Sequence, residues 1–303
     1  MKIHEQCLPC LVNQAVRTAD MLRIENREEM YRQIFLNMSR MDMNRTNPEL
    51  VGENFRIIKA FCGCDDPYRE TKAHYNRVFM DQAAVYEKTI TSFRDAVKYA
   101  IVANIIDFNP IHGDVEGDIR KFFGGMEALQ LAVDHTAQLQ QDISRSKTIL
   151  YLGDNCGEIC FDKLLIRRIR KLNPEAKIYF GVRGEAVVND NTMEDALFVR
   201  MDEEATVISN GDWALGTVLE RVSPAFRKVY DEADVVIAKG QANFESLSEE
   251  EKNIYFLLVV KCPVIARCTK VPQKSLVCMK QARDIIPGSD LRSGCVCKQA
   301  VSA

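Results

Sequence analysis

The sequence predicts an α/β protein: an all-helical N-terminal domain over residues 1–145, followed over 146–303 by a mostly parallel sheet flanked by helices. Three observations predict it. The first half has a helical apolar period, the pattern switches to short β-rich runs after Ser146, and helix-length segments separate those runs. In the first half, apolar residues recur at three- and four-residue steps, as in Phe93, Val97, Ala100, Ile101 and Ile105. Asn26, the turn-prone pair Asn47-Pro48 and CGCDDPY at 62–68 punctuate these helices, with Pro67 suited to a turn or a first helical turn. KTILYLGD, AKIYFGV, ATVIS, ADVVIAKG and FLLVVK then read as strands bounded by polar or turn residues, and EICFDKLLIRRIRKL as an intervening helix. Ligands of such a sheet bind beyond the carboxyl ends of its strands. No internal repeat or low-complexity linker interrupts the chain, so the boundary near residue 145 is a change of period.

Composition narrows the function. Among 303 residues, 40 Lys+Arg stand against 43 Asp+Glu, a net charge of −3, with no block of like charge. That balance argues against nucleic acid or an anionic membrane as the main partner. The opening MKIHEQCLPC lacks the apolar core of a signal peptide, and no run approaches the ~18 apolar residues of a membrane span. The expectation is a cytoplasmic protein. Its 11 Cys are then expected free, metal-bound or redox-active.

Chemistry collects at the predicted strand ends. The first strand runs into Gly153-Asp154-Asn155-Cys156-Gly157-Glu158, and the second into Arg183-Gly184-Glu185 and Val188-Asn189-Asp190-Asn191-Thr192. Parallel neighbours deliver Asp154 and Asp190 to one edge, where two carboxylates and an amide carbonyl suit Mg²⁺ or Mn²⁺. The same residues also suit turn and N-cap roles. A later strand ends in Lys239-Gly240-Gln241-Ala242-Asn243-Phe244-Glu245. A Lys at a strand end, then Gly and a helix start, fits a phosphate cradle, or else a solvated Lys beside a turn. The spacing is not that of a P-loop, and no GxGxxG is present. Convergence of Lys239, Asp154 and Asp190 on one edge favours the functional reading. Asn104 and Asp107 stand three apart in the apolar context IVANIIDF, so both project from one helix face, toward a site or as a satisfied buried pair.

GDNCGE, VVNDNTMEDA, SNGDWALGTVLE and ADVVIAKGQANFE, in this order and spacing, resemble the damage-control phosphatase family, formerly called domain of unknown function 89. HEQCLPCLVNQA, DPYRETKAHYN and ANIIDF resemble its prokaryotic branch with an N-terminal CxxC. The resemblance covers nearly the whole chain. It implies a helical domain on a Rossmann-like α/β domain, and a metal-dependent phosphatase acting on phosphorylated metabolites such as sugar phosphates or damaged cofactor phosphates. It places the metal on Asp154, Asn155 and Asp190, and the phosphate near Lys239 and Asn243. The family's helix motif reads Gly-Asn-x-x-Asp; here Ala103 stands in place of the Gly, while Asn104 and Asp107 match.

These residues suggest phosphomonoester hydrolysis with Mn, Mg, Co or Ni at Asp154, Asn155 and Asp190. Lys239, Gly240 and Asn243 are expected to grip phosphate oxygens. The nucleophile is either an activated water or the Asp154 carboxylate. Glu158 orients that water or complements a helix dipole. Asn104, Asp107 and Arg183 recognise the organic part of the substrate, and Asp212 supports a loop over the cleft. Two alternatives are an S-adenosylmethionine-dependent carboxyl methyltransferase and a non-catalytic metal-binding protein. The first lacks a glycine-rich loop, because GDNCGE is bulky where a cofactor needs close backbone approach. The second rests on the Cys cluster, where Cys7 and Cys10 with Cys295 and Cys297 are a candidate second metal or redox site, structural Zn included. Cys62 and Cys64 offer another partner for the first pair. Cys160, Cys262, Cys268 and Cys278 read as ordinary buried thiols.

Overall fold

The computed structural model describes residues 1–105, 117, 123–126 and 128–281. Helices α1 (Leu8–Met21), α2 (Arg27–Ser39), α3 (Asn47–Cys62), α4 (Arg69–Tyr86) and α5 (Phe93–Val102) form the N-terminal region. Local signals set their ends. Thr46 and Glu49 close a capping box at the start of α3, and Gly63 ends it at φ +62°. Ser92 and Asp95 form a second capping box before α5. A small core of Ala15, Ala19, Met30, Ile34, Phe55 and Ile58 joins α1, α2 and α3.

The α/β part has seven strands: β1 (Leu131–Asp134), β2 (Thr148–Leu152), β3 (Lys177–Val182), β4 (Thr206–Ser209), β5 (Val235–Lys239), β6 (Ile254–Val259) and β7 (Leu276–Lys280). They lie in the order β1-β7-β6-β5-β2-β3-β4, and only the β6–β7 pair is antiparallel. Between them run α6 (Thr136–Arg145), α7 (Ile159–Leu172), α8 (Met193–Phe198), α9 (Pro224–Glu232), α10 (Gly240–Leu247) and α11 (Pro263–Thr269). Strand alternation feeds two cores. Ile149, Tyr151 and Ile237 pack with Phe79, Ala100 and Phe161 on one face, and Leu150, Leu152 and Ala238 with Phe226, Phe244 and Val264 on the other. All residues of β5 and β6 are buried, as expected for central strands covered on both faces.

From β2 the chain winds outward through β3 and β4, then crosses back to lay β5 on the other side of β2. The strand order therefore reverses between β2 and β5, which is where ligands of this architecture bind.

The five expected strands are present, but the all-helical reading of residues 1–145 needs correction. Leu131–Asp134 forms the edge strand β1, parallel to β7. Four residues are too few for an alternating pattern to register, and the pairing that makes them a strand comes from residue 276 onward. Strand β7 also went unread; it pairs antiparallel with β6, against the βαβ rhythm. Among the described residues no helix is long and apolar enough to cross a membrane.

Candidate active site

The segments after β2 and β3 are stitched together by their backbones. Asn191 N donates to Asp154 O at 2.8 Å, Cys156 N to Asn189 O at 2.9 Å, and the Asn191 amide to Asn155 O at 2.9 Å. Asn155 and Asp190 form an antiparallel bridge. These bonds fix Asp154, Asn155 and Asp190 side by side at the switch point. Gly240, at φ +77°, closes the third side, where a Cβ would lie 1.8 Å from Asp154 Oδ2. Only glycine lets the β5–α10 turn come this near.

Asp154 Oδ2 accepts from the amides of Asn104 and Asn155, each at 2.9 Å, whereas among the described residues Oδ1 has only the distant Arg183 guanidinium at 3.9 Å. Asp190 Oδ2 takes Arg183 Nε at 2.6 Å. Glu158, at the N-terminal end of α7, is bonded by Asn104, by Asn155 at 3.3 Å and by Lys239 Nζ at 3.1 Å. Lys239 is fully buried and also pairs with Asp162 at 2.5 Å, which in turn receives Tyr151 OH at 2.6 Å.

Electrostatics show an excess of acid. Burial pushes the Asp154 carboxyl well above the ordinary range, and Asp190 and Glu158 push it further against the weaker pull of Arg183 and Lys261. Burial raises Asp190 too, against its Arg183 ion pair. Asp162 is pushed up to about 6 by burial, which outweighs Lys239. Burial pulls Lys239 down, but Asp162 and Glu158 prevail and hold it up at about 12. Among the described residues four carboxylates, Asp154, Glu158, Asp162 and Asp190, are thus paired with two cations, Arg183 and Lys239, while Lys72 and Lys261 act on them without an ion pair.

That imbalance and the donor chemistry fit a divalent cation. Asp154 Oδ1, the Asn155 amide oxygen and the second Asp190 oxygen accept no hydrogen bond among the described residues, and all three are hard donors. Among the described residues no group of three or more His, Cys, Asp and Glu side chains is arranged to hold a metal. The donor set here is two carboxylates and an amide.

Other expected residues reach this edge with their polar atoms committed to protein. Arg183, expected to meet substrate, is buried and braces Asp190, Thr217 Oγ1 at 3.3 Å and Gly153 O at 3.3 Å. The Asn243 amide donates to Gly153 O at 3.2 Å and Lys239 O at 2.7 Å and accepts from Thr217 at 2.8 Å. The open cradle expected of Lys239 and Asn243 is therefore filled by protein partners. Asp212 pairs with Arg221 at 3.0 Å, and its carbonyl receives Gly184 N at 2.9 Å, which supports the end of β3. Asp107 lies outside the described residues, as do Cys295 and Cys297.

All nine described cysteines are free thiols. Cys7 is buried at the start of α1, with its pKa pushed up to about 12 chiefly by burial, whereas Cys10 is exposed. Cys62 is half-buried and Cys64 exposed. Cys156 is buried under the site, its Sγ 3.9 Å from Asp190 O.

Sequence reasoning missed Asp162, Thr217, Lys72 and Asn76. Asp162 was accessible in principle, four residues after Glu158 and so on the same face of α7. Thr217 carries no spacing signal; Lys72 and Asn76 share one face of α4 at i, i+4, but nothing in the sequence says which distant segments they meet.

Residues 3–277 match the damage-control phosphatase ARMT1-like domain. The chain is 34% identical over 289 residues to the damage-control phosphatase PH1575 of Pyrococcus horikoshii, covering 92% of this chain and 98% of that protein. It is 33% identical over 228 residues to a damage-control phosphatase of Archaeoglobus fulgidus, covering 73% and 78%. A crystal structure of a DUF89 family protein from Pyrococcus horikoshii superimposes with a TM-score of 0.88 at 33% identity, over 93% of this chain and 100% of that one. A match across almost the whole length, in sequence and in fold, places the chain in the damage-control phosphatase family.

Proposed function

We propose that this site hydrolyses phosphomonoesters of small metabolites, using a divalent cation held by Asp154, Asn155 and Asp190. The observation that carries the reading is the buried Asp154, whose acid-rich surroundings are hemmed in by Gly240 at the strand-order reversal. Family membership supports a phosphatase role in metabolite repair. When bound, the cation supplies Lewis acidity that polarises the phosphorus and neutralises phosphoryl oxygens.

The protein's own groups do the rest. Glu158, locked by Asn104, Asn155 and Lys239, is held to orient the attacking group. Asn104 Oδ1 is buried with no hydrogen-bond partner among the described residues, so it accepts from a substrate hydroxyl. In the reaction the P–O ester bond breaks, a water oxygen joins phosphorus, and the leaving oxygen takes a proton. Lys239 works from behind: it restrains Glu158 and offsets two carboxylates.

Lys261 is an exposed cation whose charge acts on the site, and it would attract an arriving phosphate. It follows β6, its backbone N donates to Gln241 Oε1 at 3.3 Å, its side chain is exposed, and its charge reaches Asp154. Lys261→Ala is expected to raise KM for phosphorylated substrates about 3- to 10-fold with little change in kcat, the loss of one exposed charge contact. Steady-state kinetics at low and high salt check this; an unchanged KM at low salt removes Lys261 from the binding path.

Cation binding should release a proton. Asp154 keeps its proton above the ordinary carboxylate value, and a cation requires the carboxylate form. Affinity for Mn²⁺ therefore falls as pH drops below the raised Asp154 value and levels off above it. Calorimetry in two buffers of different ionisation enthalpy reads the proton; an affinity that does not fall on acidification contradicts the assignment.

The function itself is tested by phosphate release from a panel of sugar and cofactor phosphates with Mg²⁺, Mn²⁺, Co²⁺ or Ni²⁺. Release from some members is expected. A blank panel under all four metals overturns the reading.

A further inference from the structure

Helix α4 carries two fully buried polar side chains, Lys72 and Asn76, which the reaction does not use. They stand four residues apart and so stack on one face of the helix. Each reaches a different segment of the candidate site. Asn76 Oδ1 accepts from Gly157 N at 2.7 Å, in the left-handed turn (φ +78°) between Asn155 and Glu158. Lys72 Nζ bonds Asp195 Oδ2 at 2.7 Å and Asp66 Oδ2 at 2.6 Å. That Asp195 oxygen also receives Thr192 N at 2.9 Å and Thr192 Oγ1 at 2.6 Å, which fixes the chain two residues beyond Asp190.

The space between these anchors is filled. Cys156 packs with its Sγ toward Asp190 O, and Cys160 Sγ donates to Asn76 O at 3.6 Å. Asp66 is itself held, its Oδ1 receiving Tyr68 N at 3.1 Å. The clasp is thus rigid from the helical side. Neither Lys72 nor Asn76 makes a hydrogen bond or ion pair with Asp154, Asn155 or Asp190 side chains; apart from the Lys72 charge, which also acts on Asp190 and which Lys72→Arg retains, their effect on the site passes through the backbone they hold.

We infer that Lys72 and Asn76 are positioning residues that set the separation of Asp154–Asn155 from Asp190 and so tune cation affinity from the helical region. The two segments bond to each other and are braced by Arg183, and α4 grips both from one rigid helix of the helical region. Groups that orient metal ligands from outside typically change metal affinity about 10- to 100-fold when removed.

This inference rests on the proposed cation site, and its test separates the two. Mn²⁺ binding to the full-length protein is measured by electron paramagnetic resonance, without substrate, for wild type, Asn76→Ala and Lys72→Arg. Lys72→Arg keeps the charge and therefore the fold, but its planar guanidinium shifts Asp195. The expected result is a Kd for Mn²⁺ raised about 10-fold or more in Asn76→Ala and several-fold in Lys72→Arg, with kcat at saturating Mn²⁺ within about threefold of wild type. A merely structural clasp would lower Tm and leave Kd alone. A Kd within twofold of wild type in whichever variant folds overturns the inference. Wild type that binds no Mn²⁺ overturns the cation site, and the inference with it.

Discussion

Asp154→Asn is expected to lower metal-stimulated phosphate release by about 10²- to 10³-fold or more while leaving the metal-free protein as stable as wild type or more stable. The two halves of this result come from one cause. Asp154 is buried beside Asp190 and Glu158, and its carboxyl is held well above the ordinary value of 3.8. A carboxyl raised in the folded state favours folding at low pH, and that contribution is lost as pH rises through the raised value. The drive to ionise Asp154 as pH rises therefore burdens the metal-free fold, and asparagine, of nearly the same shape, relieves it. The same change removes the anionic donor on which the cation depends. Thermal unfolding of metal-free protein from pH 5 to 8, beside phosphate release at saturating Mn²⁺, reads both halves; the stability gap should widen with pH. A variant that keeps full activity contradicts the role of Asp154, and one that unfolds well below wild type contradicts its electrostatics.

Gly240→Ala is expected to abolish activity, whereas Gly63→Ala, with similar backbone geometry, is expected to retain it. Both glycines have positive φ, +77° and +62°, so each substitution carries about 1 kcal/mol of backbone strain. They differ in what a Cβ meets. At Gly63 nothing lies within 4 Å; at Gly240 the Cβ would sit 1.8 Å from Asp154 Oδ2 and 2.3 Å from its Cγ. Relief requires Asp154 to move or the β5–α10 turn to retreat, and either dismantles the site. Equal activity in the two variants would show that the close approach of Gly240 to Asp154 does not matter.

How much of this was readable follows from where the information lies. The strands that bear the site announce themselves, since runs such as ILYL and VVIA are apolar, bounded by turns and central in the sheet. Their order of winding then puts Asp154, Asp190 and Lys239 on one edge, as the spacing predicts. What spacing does not encode is how side chains are used. Lys239 reads as a phosphate ligand until Asp162 and Glu158 are seen to enclose it. Arg183 reads as a substrate arm until Asp190 is found 2.6 Å away. Lys72 and Asn76 sit in the recognisable string DPYRETKAHYN, yet the partners that tie them to the site, Asp195 and Gly157, lie more than 80 residues on, so only the tertiary fold exposes their work. Strands β1 and β7 fail for a related reason, because each is made a strand by its neighbour more than by its own sequence.

In the function proposed for this site, a divalent cation held at Asp154, Asn155 and Asp190 drives phosphomonoester hydrolysis. The most direct measurement is phosphate release by thoroughly chelated wild-type protein as Mn²⁺ is added back, beside Asp190→Asn. Negligible release is expected without metal, with saturable recovery in wild type at about one Mn²⁺ per chain and no recovery in Asp190→Asn. Full release after chelation, or recovery in the variant equal to wild type, would contradict it.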